Sequence, residues 1–137
     1  LNAYLFLSES FSKAGFSALE QQVVAITVSR ENQCHYCVAA QSALATMSKL
    51  DPAVVEGLRE GRELKDRKLE ALRTFTKRVV ATRGWIDESD VVSFRDAGYD
   101  DGAIAGVILG VAMKTLSNYV NHIAATDVDP QFSAYKL

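Results

Sequence analysis

The chain has 137 residues, 48% of them hydrophobic, with 15 basic and 17 acidic side chains and a formal net charge of −2. That length bounds it to one domain, 1–137, with room for a modest core, and the apolar content excludes wholesale disorder. The balanced charge leaves no footprint for nucleic acid and no cationic amphipathic stretch for a membrane surface, so neither partner is expected.

The longest apolar run, Ala103 to Met113, has 11 residues. That is about half of the ~20 needed to span a bilayer. The opening residues show no basic stretch followed by an apolar one, so a non-secreted, cytoplasmic protein is expected. Two cysteines make no disulfide framework. A Cys-x-x-Cys in a chain of this kind points to redox or metal chemistry.

In chain order, Tyr4, Leu7, Phe11 and Ala14 recur at helical spacing, and Gly15 is a natural stop. Ser17-Ala18-Leu19-Glu20 reads as a capping box. The helix it opens carries Leu19, Val23 and Ile26 and is expected to run to about Asn32. Gln33 to Tyr36 make a turn. The next helix runs from Val38 to Leu50, rich in small residues that let backbones approach. Asp51-Pro52 caps a short helix, Ala53 to Glu60. Leu64, Leu69, Leu72, Phe75 and Val79 thread the charged block from Arg59 onward, which predicts a long helix with one solvated face. It ends at Arg83-Gly84-Trp85, with Trp85 as the expected loop anchor.

Asp87 to Asp90 opens another helix with acids in its first turn, and Gly98 closes it. Asp100-Asp101 caps the last long helix, Gly102 to Ala125, where Gly102, Gly106 and Gly110 form a smooth ridge for close helix packing. The tail from Asp127 looks irregular. No alternating apolar and polar run appears, and no glycine-rich phosphate loop. The fold class is therefore all-α, with about seven helices.

The chemistry concentrates in Glu31-Asn32-Gln33-Cys34-His35-Tyr36-Cys37-Val38-Ala39-Ala40-Gln41. Cys34 and Cys37 open a helix, close enough to form a small disulfide ring. The partial positive charge of a helix N-terminus stabilises a thiolate there. A thiolate attacks a peroxide O–O bond or a disulfide, and its neighbour resolves the product. Proton transfer needs a partner. The candidates are Glu20, Glu31, His35, Tyr36 and His122. Cys34, Cys37, His35 and His122 supply enough donors for Zn²⁺ in principle, but no second ligand pair is spaced in sequence, so no metal or other cofactor is expected.

The segment from Ser17 to about Leu58, with Ser-x-x-Glu-x-x-Val-Val and then Cys-x-Tyr-Cys-Val-Ala-Ala, resembles the core of the alkylhydroperoxidase AhpD-like group of the carboxymuconolactone decarboxylase superfamily. Asn118-x-x-Asn121-His122-Ile123 agrees with it. The resemblance implies an all-α homo-oligomer, a trimer or hexamer. It implies reduction of a hydroperoxide or disulfide substrate by the cysteine pair, reset by a dithiol reductant such as a lipoyl protein. It makes Cys37 the attacking and Cys34 the resolving cysteine, whereas helix geometry alone favours Cys34 as the more exposed thiolate.

The chain departs from the family pattern at its proton relay. The family's Glu twelve residues before the first cysteine falls on Gln22, its His four after the second falls on Gln41, and a His carried by some members just before the second falls on Tyr36. Gln is no general base near neutral pH. Glu20 or His122 is expected to take over, giving Cys34, Cys37, Glu20 and His122 as the candidate catalytic set. Two other functions compete. One is a decarboxylase or lactone-handling member of the superfamily, which has no use for paired cysteines. The other is a redox-responsive oligomer that switches without turnover.

Overall fold

The computed structural model describes residues 1–137. Seven α-helices follow one another: α1 (Asn2–Ser12), α2 (Ala18–Glu31), α3 (His35–Met47), α4 (Pro52–Glu60), α5 (Arg67–Ala81), α6 (Glu88–Asp96) and α7 (Asp101–Ala124), and then a 3₁₀ helix, Pro130–Tyr135. There is no strand, as the missing period-two patterning predicts. The tail is more ordered than its sequence suggests. Asp129 precedes the 3₁₀ turn and Pro130 begins it, and the turn lies back against α3.

The helix starts follow their caps. The Ser17 hydroxyl accepts from the Glu20 N–H while the Glu20 carboxylate accepts from the Ser17 N–H, both at 3.1 Å. These two bonds satisfy orphan donors at the start of α2 reciprocally. Asp51, Asp66 and Asp100 cap α4, α5 and α7 in the simpler one-way manner. The Asp66 cap corrects one boundary. The charged block does not begin a helix at Arg59; α4 ends at Glu60 and a loop carries Leu64 into the core before α5 starts.

The centre of the molecule is α2. Seven consecutive residues, Val23 to Ser29, are buried, so this helix is covered on every side. It packs against α3, α4, α5 and α7. The two-faced pattern read from Leu19, Val23 and Ile26 understated that burial.

The glycine ridge on α7 works at two of its three members. A Cβ on Gly106 would lie 2.8 Å from the Phe16 ring, and one on Gly110 would lie 2.7 Å from Val24 Cγ1 and 2.8 Å from the Phe11 ring. Only glycine lets α1, α2 and the loop between them close on α7 there. At Gly102 a Cβ would meet nothing closer than the Asp100 carboxylate at 3.2 Å, so that position packs nothing. Gly110→Ala is expected to destabilise the fold by about 1–2 kcal/mol, the overpacking cost less the helix-propensity gain. Gly102→Ala should be near neutral. Urea unfolding of the two variants side by side checks the difference.

With 24 residues, and a mean hydropathy of 1.4 over its most apolar 18-residue window, α7 is long and apolar enough by composition to cross a membrane. Its buried face, which includes Lys114 and Asn118, turns inward and packs on α1 and α2. Trp85 is 85% exposed and anchors no loop.

Candidate redox site

The turn between α2 and α3 builds the site. Asn32 ends α2, Gln33 takes a left-handed conformation (φ 57°), and the Cys34 N–H returns to the Ser29 carbonyl at 2.8 Å. This C-cap leaves Cys34 as the N-cap of α3. The Cys helix therefore begins at His35, three residues earlier than the apolar pattern suggests. Side chains lock the turn onto α7. Asn32 Nδ2 donates to Asn118 Oδ1 at 3.0 Å, and Asn118 Nδ2 donates to Ser29 Oγ at 3.2 Å. Asn118 and Ser29 are fully buried, where an unpaired amide or hydroxyl would be costly.

Cys34 and Cys37 are joined as a disulfide with Cα atoms 5.3 Å apart. Both are buried, at 2% and 3% exposure. Their surroundings differ. Cys34 Sγ accepts the Cys37 backbone N–H at 3.3 Å, the N-cap interaction that would also stabilise a Cys34 thiolate. Cys37 Sγ accepts from Asn121 Nδ2, also at 3.3 Å. Cys34 alone of the two lines a cleft of about 500 Å³, with His35, Thr27, Arg30 and Lys77 among its polar walls and Val38, Leu58 and Leu137 on its apolar side.

Glu20 does not belong to this site. It sits in the first turn of α2, while the cysteines follow the last turn, roughly 17 Å away along the helix. Its Oε2 accepts the Tyr99 hydroxyl at 2.6 Å. Burial pushes the Glu20 pKa up, but the Tyr99 and Ser17 hydrogen bonds outweigh that and hold it below the ordinary value. Burial and the same carboxylate drive the Tyr99 phenol far above its ordinary range. The shared proton stays on tyrosine. Glu20 is a cap and a tether, not a base for the cysteines.

His122 is exposed on α7 and stacks against Tyr119, with ring centroids 6.1 Å apart. Its neighbour Asn121 is the residue that reaches the Cys37 sulfur. The relay positions are equally quiet. Gln22 buries an amide oxygen with no partner, and Gln41 is half-buried. Tyr36 turns away: its hydroxyl donates to Asp129 Oδ2 at 3.0 Å, and its ring meets Phe132 edge-on. Burial and that carboxylate raise the Tyr36 pKa. No three His, Cys, Asp or Glu side chains converge as metal ligands would.

Asn121, Thr27 and Arg30 were not anticipated as site residues. Asn121 could have been found from its spacing: it lies three residues beyond the buried Asn118, on the face of α7 that meets the turn. Thr27 and Arg30 carried no signal, because the cleft exists only once α2, α3, α4 and α5 are assembled.

The sequence matches no protein-family model and no curated protein. Its fold does have solved counterparts. A peroxidase-related protein of unknown function from Silicibacter sp. TM1040 superposes with a TM-score of 0.83 at 23% identity, covering 96% of this chain and 71% of that one. An alkylhydroperoxidase AhpD core protein from Ralstonia eutropha JMP134, also peroxidase-related and uncharacterised, gives 0.83 at 20% identity with the same coverage. At these identities the likeness is one of architecture, and it shows that the chain has the AhpD-like fold.

Proposed function

We propose that this protein is a thiol-dependent peroxidase or disulfide reductase of the alkylhydroperoxidase AhpD-like type, within the carboxymuconolactone decarboxylase superfamily. One observation carries the reading: a bonded Cys34–Cys37 pair at a helix N-terminus, with one sulfur on a cleft. The peroxidase-related descriptions of the two structural counterparts support it. In the reduced protein a Cys34 thiolate attacks the hydroperoxide, breaks the O–O bond and becomes a sulfenic acid as the alcohol departs with a proton. Cys37 then displaces water and closes the disulfide. A dithiol, for which a lipoyl protein is one candidate, returns two electrons and two protons. This makes Cys34 the attacking sulfur, in contrast to the order implied by family resemblance, because Cys34 is the one on the cleft.

Subunit association is part of the proposal. Ile108, Leu116, Val120 and Ile123 project from α7, and Leu5 and Phe6 from α1, all at least 40% exposed. A patch of that kind marks an interaction surface, and a homotrimer or homohexamer would cover it. A strictly monomeric protein in light scattering would count against this. The cytoplasm is the proposed compartment, because a cysteine pair reset by thiols works in a reducing one.

The deciding experiment follows tert-butyl hydroperoxide consumption with dithiothreitol for the wild type, Cys34→Ser and Cys37→Ser. Turnover is expected in the wild type and in neither variant. Cys37→Ser should still form a dimedone-reactive sulfenic acid at Cys34. Paired cysteines argue against the decarboxylase alternative. The redox-switch alternative rests on Gln22, Tyr36 and Gln41, which leave the relay positions without a base. A single stoichiometric oxidation with no turnover would establish the switch.

A further inference from the structure

We propose that the cleft beside Cys34 is a binding site for an anionic group, so that the small thiol or disulfide exchanging with this pair carries a carboxylate or sulfonate next to its sulfur. The inference rests on reading Cys34–Cys37 as a redox pair.

The charges lining the cleft are unequal. Arg30, Arg73 and Lys77 face a single acid, Glu31. Two of these cations are already engaged. Glu70 holds Arg73 in a bidentate pair at 2.6 and 2.8 Å, and Glu31 lies 3.9 Å from Lys77. Arg30 has no carboxylate partner. Its only hydrogen bond runs from Nη1 to the Arg59 carbonyl near the end of α4, which fixes the guanidinium and leaves its other donors free. Gly61 makes room for it, since a Cβ there would collide with Arg30 Nε.

Thr27 is the independent observation. Its side chain is 5% exposed, it lines the same cleft, and its hydroxyl has no hydrogen-bond partner. A buried unpaired hydroxyl is costly unless something occupies the space before it. Thr27 stands three residues before Arg30, on the same face of α2. Both line the cleft wall with donors that no protein group uses, and a guanidinium with unused donors suits an oxyanion and not a neutral group.

With both sulfurs nearly buried, a partner must bring its thiol into the cleft. In the exchange, an incoming thiolate attacks Cys34 Sγ and forms a mixed disulfide there, and the Cys34–Cys37 bond breaks. Cys37 leaves as a thiolate that the Asn121 amide is placed to receive. A second thiolate attacks the mixed disulfide, releasing the small disulfide and a Cys34 thiolate. An anion on the incoming thiol, seated on Arg30 and Thr27, holds its sulfur at Cys34.

Three thiols of similar size test this: 2-mercaptoethanesulfonate (anionic), 2-mercaptoethanol (neutral) and cysteamine (cationic). Each is mixed with the oxidised full chain, and the appearance of protein thiols is followed under single-turnover conditions. Rates are taken per thiolate and divided by the same thiol's rate with hydroxyethyl disulfide, which removes intrinsic nucleophilicity. The expected order is anionic, then neutral, then cationic, with about tenfold between the first two at low salt.

Arg30→Met should bring the ratio to about one, and 0.5 M salt should shrink it in the wild type. Thr27→Val, which keeps the shape and removes only the unpaired hydroxyl, should reduce the ratio while leaving the fold intact. Equal normalised rates in the wild type, a preference that survives Arg30→Met, or no reduction by any of the three overturns the inference. Peroxide plays no part in this assay. Missing peroxidase turnover would sink the peroxidase reading alone, and missing charge selectivity would sink this one alone.

Discussion

Lys114→Met is expected to stabilise this protein by about 2–3 kcal/mol at pH 7. The native lysine sits on the buried face of α7 at 2% exposure, one turn from Gly110 on one side and from Asn118 on the other. It forms no ion pair and no side-chain hydrogen bond within the subunit. Burial alone pushes its pKa from 10.5 down to about 8. The folded state therefore binds the proton more weakly than the unfolded state does. Below pH 8 both states are charged and the full penalty applies, about 3 kcal/mol for a displacement of this size. Between about pH 8 and pH 10.5 the folded protein sheds the proton first, so stability rises with pH. Above that window the penalty is gone. Methionine fills a similar volume without a charge, so its curve should lack the rise. Denaturation of both proteins from pH 6 to pH 11 should show wild type climbing toward the variant as pH passes 8. A variant less stable than wild type at pH 7 would mean that the ammonium has an anionic partner in solution, and the idea would fail.

The same lysine shows where sequence reading stops. A lone cation in the apolar stretch of α7 reads as an ordinary surface residue, because position on a helix face is clear only when the neighbouring helices are known. Features that depend on a few adjacent residues were legible. The Ser17–Glu20 capping box, the aspartate caps and the all-α class all follow from local hydrogen bonding and period, and all are found in the structure. The start of α5 was not, because Leu64 keeps helical spacing while lying in a loop, and only the Asp66 cap marks the true beginning.

The site divides in the same way. The cysteine pair is visible in the sequence because its chemistry needs two thiols at one spacing. Its partners come from elements distant in the chain: Asn121 lies 84 residues beyond Cys37. Glu20 was a plausible base by residue type, yet its capping role places it at the wrong end of α2. The capping box that defines the helix start is itself the reason this carboxylate cannot serve the cysteines.

The other large effect expected is from Phe94→Ala. Phe94 is 1% exposed and lies between two rings, stacked on Phe75 at 4.2 Å and on Tyr99 at 4.5 Å, each at an interplanar angle of 10°. Tyr99 continues the series to Phe16, edge-on at 6.5 Å, and Phe16 to Phe11 at 5.9 Å. These rings join α5, α6 and the loop before α7 to α1 and the start of α2. Truncating a buried phenylalanine costs about 3–5 kcal/mol, and this one loses two ring contacts besides. For a domain whose whole stability is about 5–15 kcal/mol, that loss is about a fifth or more. Phe94→Leu keeps most of the volume and should cost less than half as much. A second readout follows from the Tyr99–Glu20 hydrogen bond. With Phe94 gone, Tyr99 loses the ring that positions it, its hold on Glu20 loosens, and the Glu20 pKa rises toward its ordinary value. The stability that Glu20 contributes is present above the ordinary carboxylate range and fades as pH falls through its depressed folded value. The variant should therefore lose less stability than wild type on acidification through that range. Urea unfolding at neutral pH and at pH 4 measures both effects. A loss under about 1 kcal/mol at neutral pH would show that the aromatic stack does not hold these helices together.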